Sequence, residues 1–349
     1  VLGFVGEVLF MASSVTLGTL VYAIDRWVLR RWFEYPGRAF FVATLVFPIT
    51  VTALDFGGGG PLGTFGATAY SNYGWLPVMQ FAAVAGLWGI AFLMAWFAST
   101  ANYVWESDFN WRKAAPGVAV YGTILLIVVG FGVVRLATSA EAESEVRVVG
   151  LTSSLELPGI NDATYEADAA VLHADYLVRT QEVAERGAQI VVWPESGAMG
   201  PRDMVDALLA DAKALAGEHG IYLVVTTAPY TANTDPETVL HIIDPNGDVA
   251  LRHVKYGGTD LGAMLGMTET VPRELQAIDT PYGRLSGIVC WDADFPETVR
   301  QVGELDVDLL FVPANDWYEV GDLHAQMAVF RAVENGVSMF RQTSNGVSL

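Results

Sequence analysis

Gly74–Thr100 runs through Ala, Leu, Phe and Trp without one charged side chain. Three further stretches near the start of the chain do the same: Val8–Ile24, Ala39–Leu54 and Ala114–Val134, the last containing ILLIVVGFGVV. A helix that crosses a bilayer needs about 20 apolar residues. One buried core in water absorbs one such stretch, not four in close succession. Residues 1–140 are therefore expected to be a transmembrane region with about four spanning helices, the second short and interrupted by Pro48. The loops orient it. Arg26, Arg30, Arg31 and Arg38 share one connection, and Arg112 and Lys113 another, whereas Asp55–Tyr73 has no Lys or Arg. Basic loops stay in the cytoplasm, so the fourth span runs outward and delivers the rest of the chain to the other side. Trp27, Trp32, Trp75, Trp105 and Trp111 fall near the expected interfaces. The GGGGPLG stretch lacks the Lys and the strand–helix setting of a phosphate loop and reads as a flexible connection.

From residue 141 the character changes. The first part carries a net charge of +1 and the second −21, which make up the −20 of the whole chain. An acidic surface of that size argues against a nucleic-acid partner. The single cysteine excludes a disulfide framework and Cys-pair zinc sites, and the five histidines show no HxxxH or HxH spacing. No metal is expected. The chain begins without Met and ends on SNGVSL, which reads as a fragment. Strand patterns in VRVVGLTSS, GAQIVVWPE, IYLVVTTAPY, GRLSGIVCW, VDLLFVPAND and VSMFRQTSN alternate with helical spacing over Ala163–Arg186, Met204–His219 and Glu319–Asn335. Two strands around Asp-Pro-Asn-Gly form a hairpin. Residues 141–349 thus read as an α/β layered domain.

Three polar residues stand where apolar runs stop: Glu195 after IVVW, Lys255 after ALRHV and Cys290 after LSGIV. Each has an ordinary reading. A Glu after Trp-Pro caps a helix, a Lys closing a hairpin is solvated, and a lone Cys is inert core. Reactive groups of α/β sheets also gather at strand ends, where loops open a crevice, and the three together point to such a site.

The residues VVWPES, the Lys after the DPNG hairpin, TPYGRLSGIVCWDADFPE and NDWYEVGDLHAQMAVFRAVENGVSMFRQTSNGVS resemble the nitrilase (carbon–nitrogen hydrolase) superfamily. With apolar spans preceding them, the resemblance is to its apolipoprotein N-acyltransferase branch. It implies a four-layer αββα sandwich, C-terminally incomplete here, following all-α transmembrane helices. It implies Cys290 as nucleophile, Glu195 as base and Lys255 as oxyanion donor, helped by the backbone N–H of Trp291. Glu269, in a Glu-x-Val-Pro context, is the candidate for a second carboxylate, and Asp292 for support of the pocket or a cap on the following turn. No cofactor is implied. The implied partners are a phospholipid acyl donor and a lipoprotein or lipopeptide acceptor, in a bacterial inner membrane with the catalytic domain on its periplasmic side. CWDADFPE is also the wording of soluble amidases, so a membrane-anchored hydrolase with water as acceptor stays open, as does an inactive scaffold. The insert GGTDLGAMLGM reads either as a lid or as an ordinary loop.

Overall fold

The computed structural model describes residues 16, 18–28, 30, 39–58, 63–139, 145–155, 162–195, 197–230, 237–256 and 273–349. It divides into two units. One comprises residues 1–60 and 66–139; the other comprises 61–65 and 140–349. A short stretch that lies in sequence among the first unit's helices therefore packs with the second unit.

In the first unit, residues 18–28 are helical. Then come α1 (Ala39–Gly58, with Pro48 inside), the short α2 (Leu76–Met79), α3 (Ala82–Glu106) and α4 (Trp111–Ala137). Among the described residues α3 and α4 are the two helices long and apolar enough to cross a membrane. The uncharged stretch Gly74–Thr100 is not one helix. Gly86 adopts φ +63°, which breaks the helical path inside α3, and Pro77 starts a separate turn. The unbroken part, residues 87–106, has the length that spans about 30 Å. Pro77 packs against α4, where a Cβ on Gly132 would meet the Pro77 carbonyl. Polar tips are satisfied inside: Trp96 Nε1 donates to Thr44 Oγ1 at 3.1 Å, and the Tyr121 hydroxyl to Leu93 O at 3.3 Å. Leu126, Ile127 and Val134 of α4 face outward and are exposed.

Among the described residues the second unit holds two sheets. Strands β1 (Val148–Gly150), β2 (Ile190–Val192) and β4 (Tyr222–Tyr230) run parallel, and β5 (Val239–Ile243) and β6 (Val249–Val254) extend the sheet antiparallel, while β3 (Ala198–Pro201) pairs with the far end of β4. The other sheet has the order β10 (Ser338–Thr343), β9 (Leu309–Ala314), β8 (Gly283–Gly287), β7 (Ala277–Thr280), all parallel except β7. Alternation along the strands sorts the layers. Ile190, Val192, Leu240 and Ile242 meet Leu285, Val289 and Phe311 between the sheets. Val191 and Leu223 face α5 (Tyr165–Glu185) and α6 (Arg202–His219) through Leu172, Tyr176, Leu208 and Ala212. Leu310 and Val312 face Val299 of α7 (Pro296–Val299) and Val302 of α8 (Gln301–Glu304). The helix α9 (Gly321–Asn335) connects β9 to β10. Helices, sheet, sheet and helices follow in order. The helix α6 stops at Gly220, whose φ of +64° is the left-handed C-terminal geometry that glycine adopts without strain.

Candidate active site

β6 runs in the same direction as β2, because two antiparallel steps separate it from β4. Their C-terminal ends therefore lie at one edge of the sheet, and Glu195 and Lys255 follow them. Trp193 anchors the first. Its ring is fully buried, stacks on Tyr176 at 5.2 Å and donates from Nε1 to Thr180 Oγ1 at 2.9 Å. The Glu195 amide then donates to the carbonyl of Ala314, at the end of β9 in the other sheet, at 3.3 Å. Lys255 is held by its amide on Thr238 O at 2.9 Å. Its Nζ donates to Glu195 Oε1 at 2.7 Å, both side chains being about one-tenth exposed (11% each). Burial opposes the lysine's charge, but the Glu195 carboxylate outweighs it and raises the Lys255 pKa, so the group is a permanent ammonium.

Cys290 follows β8 and opens a 3-10 turn, Cys290–Asp294. Its φ is +48°, a left-handed conformation that strains a residue with a Cβ. Such a bend lifts a side chain off the end of a strand. The turn is fixed by Asp292, which is fully buried. One carboxylate oxygen accepts from Val289 N at 3.0 Å and from His253 Nε2 at 2.8 Å; the other accepts from Tyr256 N at 2.8 Å. His253 and Tyr256 flank Lys255. Asp292 thus ties the cysteine turn to the lysine strand.

The sulfur interacts electrostatically with both Glu195 and Lys255. Burial pushes the Cys290 thiol up, Glu195 adds to the rise, and His324 and Lys255 only partly offset it. At neutral pH the resting group is a protonated thiol, and a thiol reacts as a nucleophile only once a base has taken its proton. The amides of Cys290 and Trp291 precede the first backbone bond of the turn, from Asp292 N to Val289 O at 2.9 Å. They sit where helical N–H groups lack an intrahelical partner.

The residues described above do not complete the surroundings. His324, on α9, is buried, with Nδ1 2.8 Å from Asp316 Oδ1 and Nε2 3.1 Å from Asp294 Oδ2. Asp316 also accepts from Arg341 Nη2 at 2.6 Å. Ligand atoms of Cys290, Asp316 and His324 lie within 4.8 Å of one another. Both imidazole nitrogens are turned on carboxylates, so neither offers a lone pair to a metal ion. Residues 63–65 dock here as well. Thr64 donates to Asp294 O from its amide at 2.8 Å and its hydroxyl at 3.0 Å. Phe65 stacks on Trp291 at 5.3 Å and 13° and meets the edge of His324 at 5.8 Å. Glu269 and the insert GGTDLGAMLGM lie outside the described residues. The residues on either side of that insert meet, the Arg273 guanidinium lying 3.6 Å from the Tyr256 ring centre. Sequence reasoning missed the His324 cluster. Its only signal was an acidic residue after two strand ends (Asp294, Asp316) and a His on the buried face of the helix between β9 and β10.

Residues 145–349 match the carbon-nitrogen hydrolase family. The chain is a member of that family. Among curated relatives, this carbon–nitrogen hydrolase is 26% identical over 333 residues to an apolipoprotein N-acyltransferase of Geobacter metallireducens, covering 86% of this chain and 63% of that protein. It is 23% identical over 368 residues to an apolipoprotein N-acyltransferase of Pseudomonas syringae pv. tomato, covering 97% and 70%. A deaminated glutathione amidase of Dictyostelium discoideum matches at 24% over 156 residues, covering 41% and 54%. An amidase from Nesterenkonia sp. matches in structure at TM-score 0.47 and 20% identity, over 59% of this chain and 79% of that one. The chain spans about three fifths of the length of the first of these relatives. As a carbon–nitrogen hydrolase it is an enzyme whose second unit carries a thiol, a carboxylate and an ammonium at converging strand ends.

Proposed function

We propose that this enzyme moves an acyl chain from a phospholipid onto Cys290 and from there onto the N-terminal α-amine of a diacylglyceryl-cysteine lipoprotein. The observation that carries the chemistry is the convergence of Cys290, Glu195 and Lys255, with Lys255 Nζ 2.7 Å from the carboxylate. Glu195 takes the thiol proton as sulfur attacks the ester carbonyl. The S–C bond forms, the oxyanion leans on Lys255 and the Trp291 amide, the C–O bond breaks, and Glu195 returns the proton to the leaving alkoxide. In the second half the amine nitrogen attacks the thioester, the N–C bond forms and the C–S bond breaks. The amine's proton passes through Glu195 back to sulfur. Glu269 is the candidate for a second carboxylate near the acceptor.

The acceptor reading is supported by the names of the relatives that cover most of the chain. The first unit supports it too. Its outward-facing Leu126, Ile127 and Val134 suit lipid, and α3 and α4 have the length of spans. We read residues 1–140 as about four transmembrane helices, and the basic loops support an orientation with residues 141–349 on the periplasmic side of the inner membrane. Two lipid-held substrates then reach the thiol at the membrane surface. Trp317 and Tyr318, exposed immediately after Asp316, suit contact with an interface of that kind.

The second reading, hydrolysis with water as acceptor, rests on the cysteine turn CWDADFPE and on the amidase relative. One experiment separates them. The protein is incubated with phosphatidylethanolamine vesicles and a diacylated lipopeptide, and products are followed by mass spectrometry. Lipopeptide gaining one acyl chain, with little free fatty acid, supports transfer. Free fatty acid released at one rate with and without lipopeptide overturns it in favour of hydrolysis.

A further inference from the structure

The two ring nitrogens of His324 face carboxylate oxygens of Asp316 and Asp294 at 2.8 and 3.1 Å. Ionised carboxylates accept hydrogen bonds and donate none. With both carboxylates ionised, both nitrogens carry a proton and the ring is a cation; burial pushes the Asp294 carboxyl up, and its bond to His324 and the charges of His324, Arg331 and Arg341 act against that rise. The charge balance of the pocket agrees. Asp294 and Asp316 bring two negative charges; His324, Arg331 and Arg341 bring three positive ones, and Glu334 pairs with Arg331 at 2.7 Å. With the ring charged, this buried set is neutral. With a neutral ring the set balances only if Asp294 takes up the proton, and an ionised Asp294 beside a neutral ring would be a surplus buried anion, which is strongly disfavoured. Burial opposes the imidazolium, but its bonds to Asp294 and Asp316, and then to Cys290, raise its pKa to about 12.

We propose that His324 is a fixed imidazolium acting on the sulfur of Cys290, a second cation beside Lys255 that stabilises the thiolate as it forms. Lys255 is largely neutralised by Glu195 at 2.7 Å, and Glu195 acquires the thiol proton during attack. His324 brings a further positive charge to the sulfur, from a ring nitrogen within 4.8 Å of it, both before Glu195 takes the proton and after. Asp316, held from behind by Arg341 at 2.6 Å, and Asp294 position the ring. Among the described residues, the charged groups facing the sulfur are Glu195 after β2, Lys255 after β6, His324 on α9 and Asp316 after β9, while Asp294, Arg331 on α9 and Arg341 on β10 face the His324 cluster behind it. The proposal builds on the reading of Cys290 as nucleophile, but its effect on the thiol is measurable without any acyl transfer.

The test is the pH dependence of Cys290 alkylation by iodoacetamide in the purified protein, read by mass spectrometry. His324→Gln keeps hydrogen-bonding capacity and removes the charge. It is expected to move the alkylation midpoint up by about one to two pH units, a tenfold or greater loss of rate at neutral pH. Asp294→Asn keeps the imidazolium on Asp316 and removes a negative charge. It is expected to move the midpoint down, the opposite sign, and it decides the matter alone if His324→Gln does not fold. A midpoint unmoved or lowered in His324→Gln overturns the proposal, as does one unmoved or raised in Asp294→Asn, which is the behaviour of a neutral ring beside a protonated Asp294. Failure of acyl transfer in the wild-type protein, with these shifts intact, counts against the transferase reading and not against this one.

Discussion

Asp292→Ala removes a buried side chain whose two oxygens accept from the protein's own donors, and it is expected to be among the most damaging changes in the second unit. Three donors end on this carboxylate, the amides of Val289 and Tyr256 and the ring of His253, at 2.8 to 3.0 Å. The site is fully closed to solvent. A buried donor left without a partner costs about 1–3 kcal/mol. Partial rearrangement of three donors brings the sum to about 3–6 kcal/mol, and for a unit of this size that lowers Tm by roughly 10 °C. The damage has a direction. Cys290 loses the brace of its left-handed turn, and Lys255 loses the tie through His253 and Tyr256, so thiol and ammonium separate. Thermal unfolding of the detergent-purified protein reads the first effect, and neutral-pH alkylation of Cys290 the second. A Tm within about 2 °C of wild type, with unchanged alkylation, would refute the role of Asp292 as the link between the two strands.

Lys255→Met strands the Glu195 carboxylate in a nearly closed site and is expected to destabilise by about 3–5 kcal/mol; adding Glu195→Gln should restore most of the stability but none of the turnover, as thermal unfolding and acyl-loading assays would show. His241 is buried, its Nε2 at 3.0 Å from Thr227 Oγ1, and burial, then the charge of Arg252, push its pKa down to about 4. Because the fold prefers the neutral ring, the stability this provides is complete above about pH 6.5 and is lost as pH falls through about 4. His241→Gln should remove up to about 3 kcal/mol of that acid sensitivity, measured as the difference in unfolding free energy between pH 7 and pH 4. Gly132→Val would drive a side chain into the Pro77 backbone and is expected to lower thermal stability by about 1–3 kcal/mol, whereas Gly122→Val, with open space around it, should leave it unchanged.

The strands and long helices of the second unit were legible because one physical rule wrote them. Ile190 and Val192 face the other sheet, Val191 faces helices, and all are apolar, so the run IVV stands out from polar surroundings. The same rule exposed Glu195, Lys255 and Cys290, each being the first reactive side chain after such a run stops. What pattern does not record is conformation and distance. Hydropathy treats Gly74–Thr100 as continuous, whereas one torsion at Gly86 breaks it. The strand β3, AMGP, is too short and too rich in Gly and Pro to look like a strand, and its pairing comes from the end of β4. The His324 cluster draws Asp294, Asp316, His324 and Arg341 from four separate elements, and only the tertiary fold brings their charges together. Phe65 sits in a Gly-rich connection that composition marks as featureless, yet its ring stacks on Trp291.

In the proposed mechanism Cys290 is the nucleophile and Glu195 its base. Intact-protein and peptide mass spectrometry after incubation with phospholipid measures this directly, comparing wild type with Glu195→Gln. The expected result is one acyl chain on the Cys290 peptide of the wild type and none on that of the variant. An acyl chain on another residue, or equal loading of Cys290 in both proteins, would contradict it.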